Sequence, residues 1–126
     1  MIAPGDVIKI HNILIDKFGG IKGIRDSGAL EAALSRPYVT FDAKELYLAV
    51  TDKASAVFES LIINHPFIDG NKRIAYVLMR LILLEGGLDI TASESEKYNF
   101  VISVTTGELR IDGIKDWLEK NCTQKK

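Results

Sequence analysis

The sequence predicts an all-α protein: a compact single-domain helical bundle of about six helices around a buried central helix. Three observations lead there. Nearly every segment repeats its apolar residues at intervals of three and four. The stretch Ile74 to Leu84 is apolar nearly all round, interrupted by Arg80, which marks a helix without a solvent face. Residues of β preference gather in one short piece, 36–43. At 126 residues, a single domain over 1–126 is long enough to bury a sizeable core.

In order along the chain, "PGDVIKIHNILIDKFGG" carries Pro4 and Asp6 as start signals, Val7, Ile10, Leu14 and Phe18 as its face, and Gly19-Gly20 as its stop. "DSGALEAALSRP" offers Asp26 or Ser27 as N-cap and Pro37 as a stop. Residues 36–43, "RPYVTFDA", suit an extended segment with no second strand nearby, so a loop or flap is expected there and no sheet. "DAKELYLAVTDKASAVFESLIINH" reads as a long amphipathic helix with Leu46, Val50, Ala54, Val57, Phe58 and Leu61 on one side. Pro66 ends it near His65. The central helix then runs from about Asn71 to Glu85 and stops at Gly86-Gly87. Ser93 and Glu96 form a capping box for the next helix, whose face is Tyr98, Val101, Ile102 and Thr105. "RIDGIKDWLEKN" is a last amphipathic helix, starting at Asp112.

Composition narrows the function. Sixteen basic residues against 17 acidic ones give a net charge of −1, which leaves no basic footprint for direct nucleic-acid binding. A helix-turn-helix reading also fails, because "NKRIAYVLMRLILLEGG" is too apolar to present a recognition face. Cys122 is the only cysteine, so no internal disulfide forms, and a surface or half-buried thiol is expected. No signal peptide is expected, since Asp6 interrupts the N-terminal apolar residues and no cationic region precedes them, and the longest apolar run is too short to span a bilayer. A cytoplasmic protein without membrane contact is the expectation.

The chemistry concentrates in "NHPFIDGNKRIA", residues 64–75. One helix ends, a loop with a proline follows, and the central helix begins. Unpaired N–H groups of that first turn favour anions, yet Lys72 and Arg73 sit there against the helix dipole. A bound anion would resolve the conflict: Gly70 allows close approach, and Arg73 has a planar fork suited to phosphate oxygens. Asp69 beside a phosphate suits Mg²⁺, which takes one or two carboxylates and completes its shell with phosphate and water. His65 has the titration range to accept a proton from an incoming hydroxyl. Together these suggest nucleotide-dependent group transfer. Each residue has an ordinary alternative: Asp69 as the helix N-cap, His65 as a half-buried helix-end histidine, Lys72 and Arg73 in water, Asn71 as a loop residue. Arg80, two turns beyond Arg73, reads either as a second phosphate contact or as half of an ion pair.

The run His65-Pro66-Phe67-Ile68-Asp69-Gly70-Asn71-Lys72-Arg73 resembles the signature of the Fic/Doc superfamily, His-x-Phe-x-Asp/Glu-Gly/Ala-Asn-x-Arg. "KFGGIKGIRDSGALEAALSRP" and "VTTGELRIDGIKDWL" extend the resemblance over most of the chain, closest to the death-on-curing (Doc) toxins of toxin–antitoxin modules. The resemblance implies the Fic/Doc fold, His65 as catalytic base, Asp69 as Mg²⁺ ligand, and Gly70, Asn71, Lys72 and Arg73 as the phosphate-binding anion hole, with Phe67 as the loop's anchor. Two positions depart from the AMP-transferring pattern: Lys72 replaces a glycine, and Tyr76 replaces a second arginine. The Doc branch carries lysine there and places the γ-phosphoryl group of ATP toward the target. The resemblance therefore implies a protein kinase that modifies a threonine of elongation factor Tu and inhibits translation. The runner-up activity is AMP or other nucleotidyl transfer, and a catalytically silent helical binding module is the reading from another class. The self-inhibiting motif of some relatives is not matched at Leu81 to Gly86, so a separate Phd-like antitoxin is expected as partner. By analogy, the flap at 36–43 would dock the target.

Overall fold

In the computed structural model, which describes residues 2–125, two apolar helices meet at the centre. These are α3 (Val50–Asn64) and α4 (Asn71–Glu85). Around them pack α1 (Pro4–Phe18), α2 (Ser27–Ser35), α5 (Glu94–Thr105) and α6 (Ile111–Asn121), which gives six helices among the described residues and the expected all-α fold. The central helix begins and ends where the sequence places it. It shares the centre, however, with α3, which was expected to keep a wet face and instead buries ten residues from Thr51 to Ile62 against six in α4. The small side chains Ala54, Ser55, Ala56 and Ser60 let α2, α4 and α6 approach α3 from several sides. Its polar groups are paired: Ser55 donates to Thr51 O (2.6 Å), and the buried Glu59 takes Arg36 (2.9 Å) and Arg110 (3.5 Å). Both partners are needed, since one guanidinium leaves a buried carboxylate partly unsatisfied.

Four expectations are corrected. Residues 36–45 do form a sheet, although a minimal one: after a 3₁₀ turn over Arg36–Tyr38, β1 (Thr40–Phe41) pairs antiparallel with β2 (Lys44–Glu45). Asp42 and Ala43 make its two-residue turn with φ of 52° and 63°, the left-handed pair that suits the twist of a hairpin. Second, the helix expected from residue 42 starts at Val50, where Asp52 accepts the Ala49 N–H (3.1 Å); Leu46 lies on the exposed hairpin arm and not on the helix face. Third, β3 (Leu88–Ile90) pairs with β4 (Cys122–Gln124), a ladder that joins the end of α4 to the chain's last residues. Fourth, the buried face of α1 is Val7, His11 and Ile15, while Phe18 is 51% exposed.

The other elements follow their signals, except that α5 buries Phe100 and Val104, while Tyr98 of the expected face is 66% exposed. Ser93 and Glu96 exchange both bonds of the capping box (3.2 and 3.1 Å), and α6 starts one residue before Asp112. Phe58, Phe100 and Trp117 stack in series at 5.4 and 3.9 Å and tie α3, α5 and α6 together. Arg80 makes a bidentate pair with Asp89 (3.0 and 3.1 Å), which decides between its two readings in favour of the ion pair. Cys122 is half-buried, and burial pushes its thiol up to about 11, which leaves it unreactive near neutral pH. No helix among the described residues is long and apolar enough to cross a membrane.

Candidate active site

Between α3 and α4 the chain makes a sharp corner whose conformation follows from its residues. His65 caps α3 with φ 46° and ψ 61°. Pro66 and Phe67 turn inward and are buried. Phe67 is fixed from two sides. The Asn71 side chain accepts its N–H and donates to its carbonyl (3.0 Å each), and the His11 ring stacks on it at 3.8 Å. Gly70 then opens α4 at φ 73°, where an added Cβ would lie 3.1 Å from Ile15 Cδ1 and 3.3 Å from His11 Nε2. Glycine is required there both for the backbone and for the space.

Asp69 is not the N-cap of α4; that position belongs to Gly70, and no side chain caps the helix. The carboxylate turns to the loop after α1, where Ile21 N–H donates to Oδ2 (3.1 Å) and Gly70 N–H to Oδ1 (2.8 Å). It lies so close to Gly20 that a Cβ there would meet Oδ2 at 2.7 Å. The first helical bond of α4 runs from Ile74 N–H to Gly70 O (3.1 Å). The N–H groups of Asn71, Lys72 and Arg73 therefore remain open at the positive end of the dipole. Among the described residues neither Lys72 nor Arg73 joins an ion pair, and the Arg73 guanidinium lies 4.6 Å over the Phe18 ring.

A cavity of about 910 Å³ sits against this turn, and His65, Asp69, Gly70, Asn71, Lys72 and Arg73 all line it. Its other walls are Leu14 and Phe18 of α1, Tyr76 and Val77 of α4, and a side of α5 from Glu94 to Thr105. Burial raises the Tyr76 phenol above its ordinary value, against the pull of Lys97 and Arg80, so the group stays neutral where an arginine would bring charge. Arg80 does not reach the cavity. A smaller cavity of about 300 Å³ lies beside the first; Ile62, His65 and Thr105 line both.

The fit to a divalent cation can be judged from the donors. Among the described residues no three His, Cys, Asp or Glu side chains gather as a metal cage. One exposed carboxylate with a single backbone bond on each oxygen is the donor set of a cation held chiefly by phosphate and water, as Mg²⁺ is. Asn71 lines the cavity, but its side chain serves Phe67, so its backbone N–H is what faces an anion.

His11 is a site residue that the sequence reading passed over. It is 1% exposed, and its Nε2–H donates to Asp69 O (2.7 Å). The spacing Val7, His11, Ile15 was the available signal, since a histidine in an apolar i, i+4 row must find a buried partner.

A family model described as "Fic/DOC family" matches residues 2–83, a stretch that contains the whole turn and most of α4. The chain belongs to the Fic/DOC family. Within it, this Fic/DOC chain is 40% identical over 75 residues to "Toxin Doc" of Mycolicibacterium smegmatis, covering 60% of the chain and 58% of that protein. It is 29% identical over 122 residues to "Protein kinase doc" of Escherichia phage P1, covering 94% of the chain and 93% of that protein. The match thus spans little more than half of the mycobacterial relative and nearly all of the phage one.

Proposed function

We propose that the protein is a Doc-type toxin that transfers the γ-phosphoryl group of ATP to a threonine hydroxyl of a translation factor, with elongation factor Tu as the expected substrate. One observation carries this reading: the open amides of the first turn of α4, the cations Lys72 and Arg73, which join no ion pair among the described residues, the Asp69 carboxylate and the His65 side chain all border one cavity. The names of the two relatives, a toxin and a protein kinase, agree with it.

In this account the amides of Asn71 to Arg73 and the Arg73 fork hold the phosphate chain, and Lys72 adds a charge where the AMP-transferring pattern has glycine. Asp69, with phosphate and water, would hold Mg²⁺, which supplies charge neutralisation on the phosphate oxygens. The acceptor hydroxyl enters beside His65, which borders both cavities. A ring nitrogen of His65 takes the hydroxyl proton as the new O–P bond forms and the bond from the γ-phosphorus to the bridging oxygen breaks, releasing ADP. A Phd-like antitoxin would restrain the toxin, and the apolar wall made by Phe18, Val77 and Val101 gives a helix of such a partner a surface to cover.

Incubation of the protein and elongation factor Tu with ATP labelled at either the α or the γ phosphorus tests the reading. Label from the γ position on the factor is expected, with transfer lost at least about 100-fold in His65→Ala while its circular dichroism stays unchanged. Label from the α position alone would establish nucleotidyl transfer in its place. Undiminished toxicity of His65→Ala on expression would favour a binding module without catalysis.

A further inference from the structure

His65 is one of three residues in the described chain with positive φ and a side chain, and the other two form the hairpin turn at Asp42 and Ala43. A left-handed residue with a Cβ persists where its surroundings over-determine it. The bonds to the three carbonyls around His65 come chiefly from Arg25, 40 positions away. Arg25 Nε donates to His65 O (2.7 Å), Arg25 Nη2 donates to Asn64 O, and the Arg25 backbone N–H donates to Pro66 O (2.8 Å). The neighbouring Asp26 N–H adds a second bond to Pro66 O (3.0 Å).

Three consecutive carbonyls, those of Asn64, His65 and Pro66, are thus turned to Arg25. Two of them end α3, where the helix dipole is negative and a cation is favoured. Arg25 is exposed, borders neither cavity and joins no ion pair among the described residues. Among the described residues its fork bonds this stretch of main chain alone. With the peptides on both sides of His65 held from one side, the Cα–Cβ bond is fixed in direction, and the ring lines the cavity.

The geometry points to Arg25 as a positioning residue for the transfer: it holds the main chain around His65 so that the imidazole stands at the reacting hydroxyl, without itself touching nucleotide or acceptor. This rests on the reading of His65 as the base. Loss of the fork frees His65 to leave its left-handed geometry for the extended region that the following Pro66 favours, which redirects the ring while leaving the first turn of α4 intact. A lysine offers one compact ammonium and cannot reproduce the fork to two carbonyls.

The test compares Arg25→Ala and Arg25→Lys with the wild-type chain, using Mg-ATP and elongation factor Tu as probes and ¹³C-labelled histidine for NMR. Arg25→Ala is expected to lower kcat about 10- to 100-fold, as a misplaced catalytic group does, while KM for ATP stays within about twofold. Arg25→Lys should recover part of the loss. The His65 ring signals should show one fixed environment in the wild type and rotamer averaging in Arg25→Ala. Full kcat in Arg25→Ala, or a fall in kcat matched by an equal rise in KM for ATP, would overturn the assignment. If the wild type itself transfers no γ-phosphoryl group, the proposed reaction fails, and the NMR comparison alone decides for Arg25: averaging supports it and unchanged ring signals overturn it.

Discussion

Gly70 shows how one residue decides the site. It places φ at 73° where the loop becomes α4, and it leaves room for His11 and Ile15 beneath. An alanine would be strained by its backbone and would press its Cβ on both neighbours. Gly70→Ala is expected to lower unfolding free energy by about 1–2 kcal/mol, measured by urea titration, and to weaken ATP binding because the amides of Asn71 to Arg73 follow Gly70. The identities of His65, Asp69, Gly70, Asn71, Lys72 and Arg73 were legible in the sequence because nine consecutive residues, 65–73, carry them. His11 and Arg25 were not legible, since each reaches the turn from a distant part of the chain, His11 to Asp69 and Arg25 to residues 64–66. The row Val7, His11, Ile15 signals that His11 is buried and needs a partner, but no local spacing says that the partner is Asp69, and none marks Arg25.

At the scale of elements, the bounds of α4 were readable because its start lies at a glycine and its end at Gly86. The hairpin and the β3–β4 ladder were not. Strands of two and three residues are too short to show alternation, and the partner of β3 lies more than 30 residues away. The ladder is secured to α4 by Arg80, whose hydrogen bond holds the Asp89 carboxyl down at about 2 against the opposing effect of burial. Because the folded carboxyl is depressed below its ordinary value near 4, the pair stabilises the fold above about pH 4. That contribution fades as pH falls through about 2. Arg80→Ala should therefore cost about 0.5–1 kcal/mol near neutral pH, with wild type and variant converging at pH 2 in parallel denaturation curves. If the two remain separated at pH 2, the loss comes from packing and not from the ion pair.

For the whole molecule, the all-α fold and its central helix came from helical periodicity, while the mistaken surface of α3 shows the limit of that signal. Small residues such as Ala56 and Ser60 read as neutral in a pattern of apolar positions, yet they admit neighbouring helices on several sides. The same packing sets the open end of α4 beside the end of α1 and a side of α5, so the proposed anion site and its walls are a product of the bundle and not of the nine-residue run alone. The central claim is that a triphosphate rests on the first turn of α4, and backbone amide NMR during titration with Mg-ATP reads that most directly. The largest shifts are predicted at Gly70 to Arg73, saturating together and lost in Arg73→Ala. Shifts confined to the hairpin at Thr40 to Glu45, or none at the α4 terminus at saturation, would contradict it.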